Sequence, residues 1–381
     1  MSDDSPTVPE VPSLESSPRA GLRDFAVSPV GRALDWLERI DPGTHRRIKG
    51  LRLVTAYGIA AMVGSLQQIT HGLSSDSSLS SLAGGFALWA SVSEGQTNRS
   101  ASSRDLLLLC AAAALGAATM IGLAPILSGA GRPGPELTLA TGAFLVGYLK
   151  RFGILGAGIG SQIYIGQLLA YSAHLVAADL RVVGAAGLIA AMAAIVPRIL
   201  SGPAEKPVPA PDPPQVIGPR ALSPELAMGL QASVAALVIV ALKDTSGIEQ
   251  SAWAVTASTY VIAGSATGTI DRVRRRIIGT LIGVPLGIAC LPIAMHAPLL
   301  IWAAAALAMV IYAMALPERY DIACAAFAFT LMVTLALDGV HSTLLLSARI
   351  WETLIGAALG VAAAKLVFPL RTARPGGSIY R

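Results

Sequence analysis

The chain of 381 residues is 54% hydrophobic and only 13% charged, with a mean hydropathy of +0.63. Soluble domains carry about 25% charged residues, so this composition excludes a soluble protein and points to an integral membrane one. The formal charge of +5 does not make a nucleic-acid face, because the 28 Lys and Arg gather in short segments between apolar runs, the pattern of a topology signal.

Taken in order, residues 1–20 are rich in Ser, Pro and acid and read as disordered. In Ser28–Ile40 the apolar residues Val30, Leu34, Trp36, Leu37 and Ile40 recur at helical spacing, which predicts an interfacial helix. Asp41-Pro42-Gly43 ends it, and His45 to Lys49 form a basic collar. The first apolar run begins near Leu51, so no cleavable signal peptide is expected.

A span needs about 20 apolar residues. Twelve candidates occur, roughly 51–70, 79–96, 105–127, 136–150, 153–172, 181–200, 225–243, 251–268, 277–295, 298–316, 320–337 and 344–368. With the N-terminus inside, 24 of the 28 Lys and Arg fall in inner segments; only Arg132, Arg181, Lys243 and Arg349 fall outside. That alternation supports twelve spans with both termini cytoplasmic. The expected fold is all-α and polytopic, with a cytoplasmic segment at 1–50, a six-helix membrane repeat at 51–200 and a Pro-rich cytoplasmic linker at 201–223. A second six-helix repeat at 224–370 and a cytoplasmic tail at 371–381 complete it. Six is even, so both halves start on the same side, which makes the repeat parallel. Thr97 and Arg104 recur as Thr269 and Arg276, an offset of 172 residues that suggests duplication.

The knot Asp271-Arg272-Val273-Arg274-Arg275-Arg276 holds four arginines in five residues. Each would cost a few kcal/mol at a helix centre in a bilayer, so it predicts a short turn at the membrane surface. The same cluster could draw anions to the cytoplasmic mouth.

Three seams place rings and hydrogen-bonding groups on one helix face: Trp253, Thr256, Tyr260 and Thr267; Tyr164, Gln167 and Tyr171; Phe327, Thr330 and Thr334. A pocket for an aromatic or amphipathic solute needs that mixture, and so does ordinary polar packing between helices. Glu352, three residues after Arg349, lies inside the last span, and Glu94 stands at the inner end of the second. Intramembrane carboxylates are usually functional; proton coupling and a structural Arg349–Glu352 pair are both open. The spacings Gly279-Gly283-Gly287, Gly356-Gly360 and Gly156-Gly160 read as close helix packing, and Pro285 and Pro292 as kinks in the ninth span. Cys110, Cys290 and Cys324 are isolated thiols within apolar runs, suited to packing. With no P-loop, no HExxH and no nucleophile–base pairing, neither an enzyme, a metal site, a cofactor nor an ATP-driven pump is expected.

Trp253-Ala-Val-Thr256, Arg276-Ile-Ile-Gly279-Thr280-Leu-Ile-Gly283 and Arg349-x-x-Glu352-Thr353-Leu-Ile-Gly356 resemble the fusaric-acid-resistance-like family, which includes aromatic acid exporters. The resemblance runs from about residue 41 to 370 and is strongest in the second half. It implies a transporter in the bacterial inner membrane that exports small aromatic or amphipathic organic acids, driven by the proton gradient. Trp253, Thr256, Tyr260, Tyr164, Gln167, Arg272, Arg275 and Arg276 are the expected solute contacts, and Glu352, Glu94 and Arg349 the expected proton-coupling groups. Some relatives work with a periplasmic adaptor of the membrane-fusion type, and larger ones carry a soluble domain where this chain has only the 201–223 linker. Adaptor partnership and self-association stay open. Two rivals remain: a passive organic-anion channel, since plant relatives conduct such anions, and a membrane scaffold of an envelope assembly.

Overall fold

The computed structural model describes residues 45–66, 76–95, 98–129, 134–201, 216–217, 222–246, 251–337 and 343–372. The expected interfacial helix at Ser28–Ile40, nearly all of the 201–223 linker and the tail after Thr372 lie outside the described residues. The chain from Arg46 onward forms one compact unit; of the other, Met1–His45, only His45 is described.

The described residues are overwhelmingly helical. The helices are α1 His45–Gly64, α2 Asp76–Ser93, α3 Arg99–Leu127, α4 Leu137–Tyr148, α5 Gly153–Ser172, α6 Leu180–Leu200, α7 Pro224–Ser246, α8 Ser251–Val261, α9 Ala266–Ala289, α10 Leu291–His296, α11 Pro298–Ala315, α12 Tyr320–Leu337 and α13 Thr343–Leu366. A 3-10 turn at Leu149–Phe152 links α4 to α5, and Val216–Ile217 pairs antiparallel with Arg371–Thr372. Every predicted apolar run overlaps a helix. By length and composition, seven segments can cross a membrane: Arg99–Leu127, Leu137–Ser172, Ala177–Leu200, Pro224–Lys243, Ala266–Ile293, Pro298–Ala315 and Leu346–Leu366. Leu79–Ser93 and Tyr320–Ala336 are apolar but shorter. Large aliphatic side chains such as Leu107, Leu115, Ile126, Leu188 and Leu299 face outward, as on a surface solvated by lipid. This is an all-helical membrane protein.

Three sequence expectations change around the arginine knot. Asp271–Arg276 is not a surface turn: it lies within α9, whose N-cap is Ser265, with its side chain accepting from the Gly268 amide. The helix starts early because Ser265 is a good cap and Arg is a strong helix former. Consequently the expected eighth span ends at Val261 and α8 is only 11 residues long, about 17 Å at 1.5 Å per residue. Beyond Pro285, which α9 accommodates, the expected ninth span breaks at Cys290 and restarts as α10 with Pro292 in its first turn.

Glycine governs how closely the helices approach. On α3 and α5, Gly116 lies against the Ile163 carbonyl and Gly166 against the Ala113 carbonyl. Gly279 and Gly283 of α9 press on the backbone of α12 at Asp321 and Ala325, and Gly356 of α13 on the Ala254 carbonyl of α8. The first six helices meet the rest where Gly147 of α4 packs on Gly229 of α7, and where a Cβ on Gly50 of α1 would stand 3.0 Å from the Val310 Cα of α11. The caps Asn98 and Ser265 stand 167 positions apart, as do Gly116 and Gly283. The structural correspondence is therefore five residues shorter than the 172 suggested by Thr97 and Thr269. The main apolar core is built from α1–α8, with smaller clusters around Ile301, Phe329 and Val333 and around Val284, Met332 and Leu346.

Candidate functional site

The short α8 determines where one cavity lies. Because α8 stops at Val261 and α9 starts at Ala266, a non-helical connector is left at 262–265, beside the α4–α5 turn. Buried backbone without helix partners must be satisfied from elsewhere. Here the Thr269 hydroxyl accepts from the Ala263 amide at 3.0 Å, and Arg272 Nη1 donates to the Ile262 carbonyl at 3.3 Å. Over this stitched connector opens a cavity of about 420 Å³, lined by Ser93, Lys150, Ser161, Tyr260 and Arg272 among apolar residues including Val146, Ile154, Ala157 and Ile262.

The chemistry of the lining is one-sided. Lys150 comes from the 3-10 turn and Arg272 from α9, and among the described residues no carboxylate lines the cavity. Two like charges beside low-dielectric walls repel each other, and an anion between them relieves that repulsion. On the wall, the Tyr260 hydroxyl bonds the Ser161 Oγ at 2.7 Å. Behind it, the Tyr164 ring meets Tyr260 edge-on at 5.9 Å between centroids, and the Tyr164 hydroxyl bonds Thr256 Oγ1 at 2.7 Å. Tyr164, Thr256 and Tyr260, drawn from two separate sequence seams, thus form one hydrogen-bonded layer. Thr256 and Tyr164 support the wall, and Tyr260 and Arg272 reach it.

The remaining expected solute contacts stand elsewhere. Gln167 donates to Thr119 and Thr141, tying α5 to α3 and α4. Arg275 pairs with Asp271 at 2.9 Å and donates to the Glu318 carbonyl at 2.8 Å. Arg276 donates to the Tyr320 hydroxyl at 3.4 Å. Trp253 is covered by the Arg349 guanidinium, 4.1 Å from its ring centre, and Arg349 pairs with Glu352 at 3.5 Å. Both members of that pair are buried, Glu352 to 2% exposure, so Trp253, Arg349 and Glu352 make one cluster between α8 and α13. Thr330 and Thr334 bond back to their own helix at Ala326 and Thr330.

Glu94 is buried beside Lys49, Arg52 and Arg198. Lys49 Nζ donates to its carbonyl at 2.9 Å; burial pushes the Lys49 ammonium down while the Glu94 charge pulls it back up.

Sequence reading missed Lys150, legible only as a loop cation, and Ser161, which stands one turn before Tyr164 on α5. It also missed Glu136, paired with Lys243 and Tyr171, since those three partners are scattered over 107 positions. Among the described residues no group of three or more His, Cys, Asp or Glu could hold a metal ion.

No curated protein and no solved structure matches the chain. Residues 234–363, from α7 through most of α13, match the family described as fusaric acid resistance protein-like, so the part of the chain carrying Trp253, Tyr260, Arg272 and Glu352 is similar to that family.

Proposed function

We propose that this protein is an inner-membrane exporter of small aromatic or amphipathic organic acids, coupled to the proton gradient. The observation that carries this reading is the cavity with Lys150 and Arg272 and no carboxylate. An aromatic carboxylate places its charge between the two cations and its ring against Val146, Ile154 and Ile262, while Ser161 and Tyr260 bond its oxygens or hydroxyl substituents. The family match over residues 234–363 agrees with transport.

The layout proposed is two parallel six-helix repeats, 51–200 and 224–370, with both termini cytoplasmic. Its support is that packing recurs: α3 packs on α5 and α6 as α9 packs on α12 and α13, and α2 on α6 as α8 on α13. The cavity, Arg46, Lys49, Arg198 and the arginine knot share one end of the bundle, where a cytoplasmic face concentrates Lys and Arg. The proton is carried by Glu352, with Glu94 as the second carboxylate; both are buried among cations that could exchange partners as the helices move.

A passive organic-anion channel is the second reading, favoured by one observation: no carboxylate lines the solute cavity, so anion and proton need not share a site. Proteoliposomes with an imposed pH gradient, hydroxybenzoate-like acids and an internal pH dye separate the two. Coupled movement of acid and proton, lost with an uncoupler, establishes the antiporter; acid flux that follows voltage alone establishes the channel. Absence of flux for every acid tested overturns both.

A further inference from the structure

At the end of α4 remote from Lys150, Glu136 immediately precedes the helix and is 1% exposed. Its Oε1 accepts from Lys243 Nζ on α7 and from the Tyr171 hydroxyl on α5, the latter at 2.7 Å. Its Oε2 is buried with no hydrogen-bond partner among the described residues. Gly134, at φ +88°, carries the chain across that oxygen, and a Cβ there would collide with Oε2. The titratable groups facing Glu136 from described elements are Lys243 of α7, Tyr171 of α5 and, stacked on Tyr171 at 6.4 Å, His174 just past α5. The ion pair and the tyrosine bond therefore join α4 and α5, in the first half of the chain, to α7, in the second.

We propose that Glu136 is a proton-binding site that locks α7 to α4 and α5, and that its protonation releases this end of the bundle. A buried carboxylate is tolerated only while paired. Oε2 offers a lone pair that no donor occupies, so a proton adds there without breaking a bond. The neutral acid no longer needs the ammonium, and Lys243, one-third exposed, can turn to water. Burial pushes the Glu136 carboxyl up, but the bonds from Lys243 and Tyr171 outweigh it and hold it below the usual carboxylate range. A depressed group stabilises above its free value and loses that contribution as the pH falls through the depressed value, so the lock holds at neutral pH and opens in acid.

This inference requires no solute, so its failure is distinguishable from failure of the export reading. The test is amide hydrogen exchange, corrected for intrinsic rates, on the full chain in lipid nanodiscs from about pH 7.5 to about pH 2, so that the series passes through a depressed carboxylate value. Peptides covering residues 137–148 and 232–243 should be protected at neutral pH and lose protection in acid. Glu136→Gln should exchange there about a hundredfold faster already at neutral pH, the scale of breaking a buried pair. Lys243→Met should move the wild-type transition to higher pH, because the ammonium no longer offsets burial and only the weaker bonds, such as that from Tyr171, still oppose it. Protection of α9 and α12 serves as the folding control. Wild-type protection that does not change with pH overturns the proposal, as does Glu136→Gln protected like wild type. Should Glu136→Gln unfold α9 and α12 as well, the wild-type series alone decides.

Discussion

Lys150 and Arg272 give the sharpest test of the cavity, because each can be neutralised without touching its apolar walls. A hydrogen bond to a charged group contributes about 1.5–3 kcal/mol, which is roughly a 10- to 150-fold change in affinity. Arg272 is exposed and already donates to the Ile262 carbonyl, so Arg272→Gln should fall at the lower end. Lys150 is half-buried, with no carboxylate or hydrogen-bond partner among the described residues, so Lys150→Gln should fall at the upper end. The assay is calorimetric titration of the purified protein with benzoate and with benzamide, its neutral isostere, at one fixed ionic strength because exposed charges are screened. Wild type should bind benzoate and not benzamide, and each substitution should narrow that difference. Benzamide binding as tightly as benzoate, or unchanged benzoate affinity in both variants, would refute the cavity as an anion site.

Other expectations follow from named contacts. Tyr260→Phe removes the 2.7 Å bond to Ser161 and should weaken binding of a hydroxylated benzoate by about 2- to 10-fold, the net value of a neutral hydrogen bond, with Ser161→Ala giving a similar loss. Glu352→Gln should abolish proton-coupled flux in proteoliposomes while the protein still elutes as a folded species; full coupled activity would remove Glu352 from the proton path. Gly166→Val should prevent α5 from seating on α3, because even a Cβ meets the Ala113 carbonyl, and thermal melting should show it. Gly58→Ala, with nothing within 4 Å of the added Cβ, should leave melting unchanged or raise it, since Ala favours helix over Gly by about 1 kcal/mol. Burial raises the Glu318 carboxyl, but Arg46, bonded to it at 2.6 Å, together with a backbone hydrogen bond outweighs that and holds it low. The small stability lost in Glu318→Gln should therefore be seen at neutral pH and vanish as the pH falls below the usual carboxylate range.

Composition and period made the helices legible, and where they failed the cause was local. Every apolar run overlaps a helix because lipid leaves most of the backbone no alternative partner. The arginine knot misled because a cost computed for the bilayer centre was applied to residues that a serine cap places in the polar first turns of α9. Glycine spacings spoke truly of close approach, since a missing side chain has the same meaning in any partner's company. The site was half legible. Tyr164, Thr256 and Tyr260 share a seam logic that survives folding, whereas Lys150 lies in a turn with no period to announce it. Glu136 finds its partners only through tertiary contact, between helices far apart in the chain.

On the proposed export function, the bond from Arg272 to the Ile262 carbonyl sets a limit on how tightly a solute can be held. To grip an anion fully, the guanidinium must loosen its hold on a connector that has no helix of its own, so part of each new contact is offset by an old one given up. A pathway that must both load and discharge its cargo works best when occupancy is favourable enough to enter and weak enough to leave. An arginine with two claimants meets that condition, and the short α8 provides the second claimant.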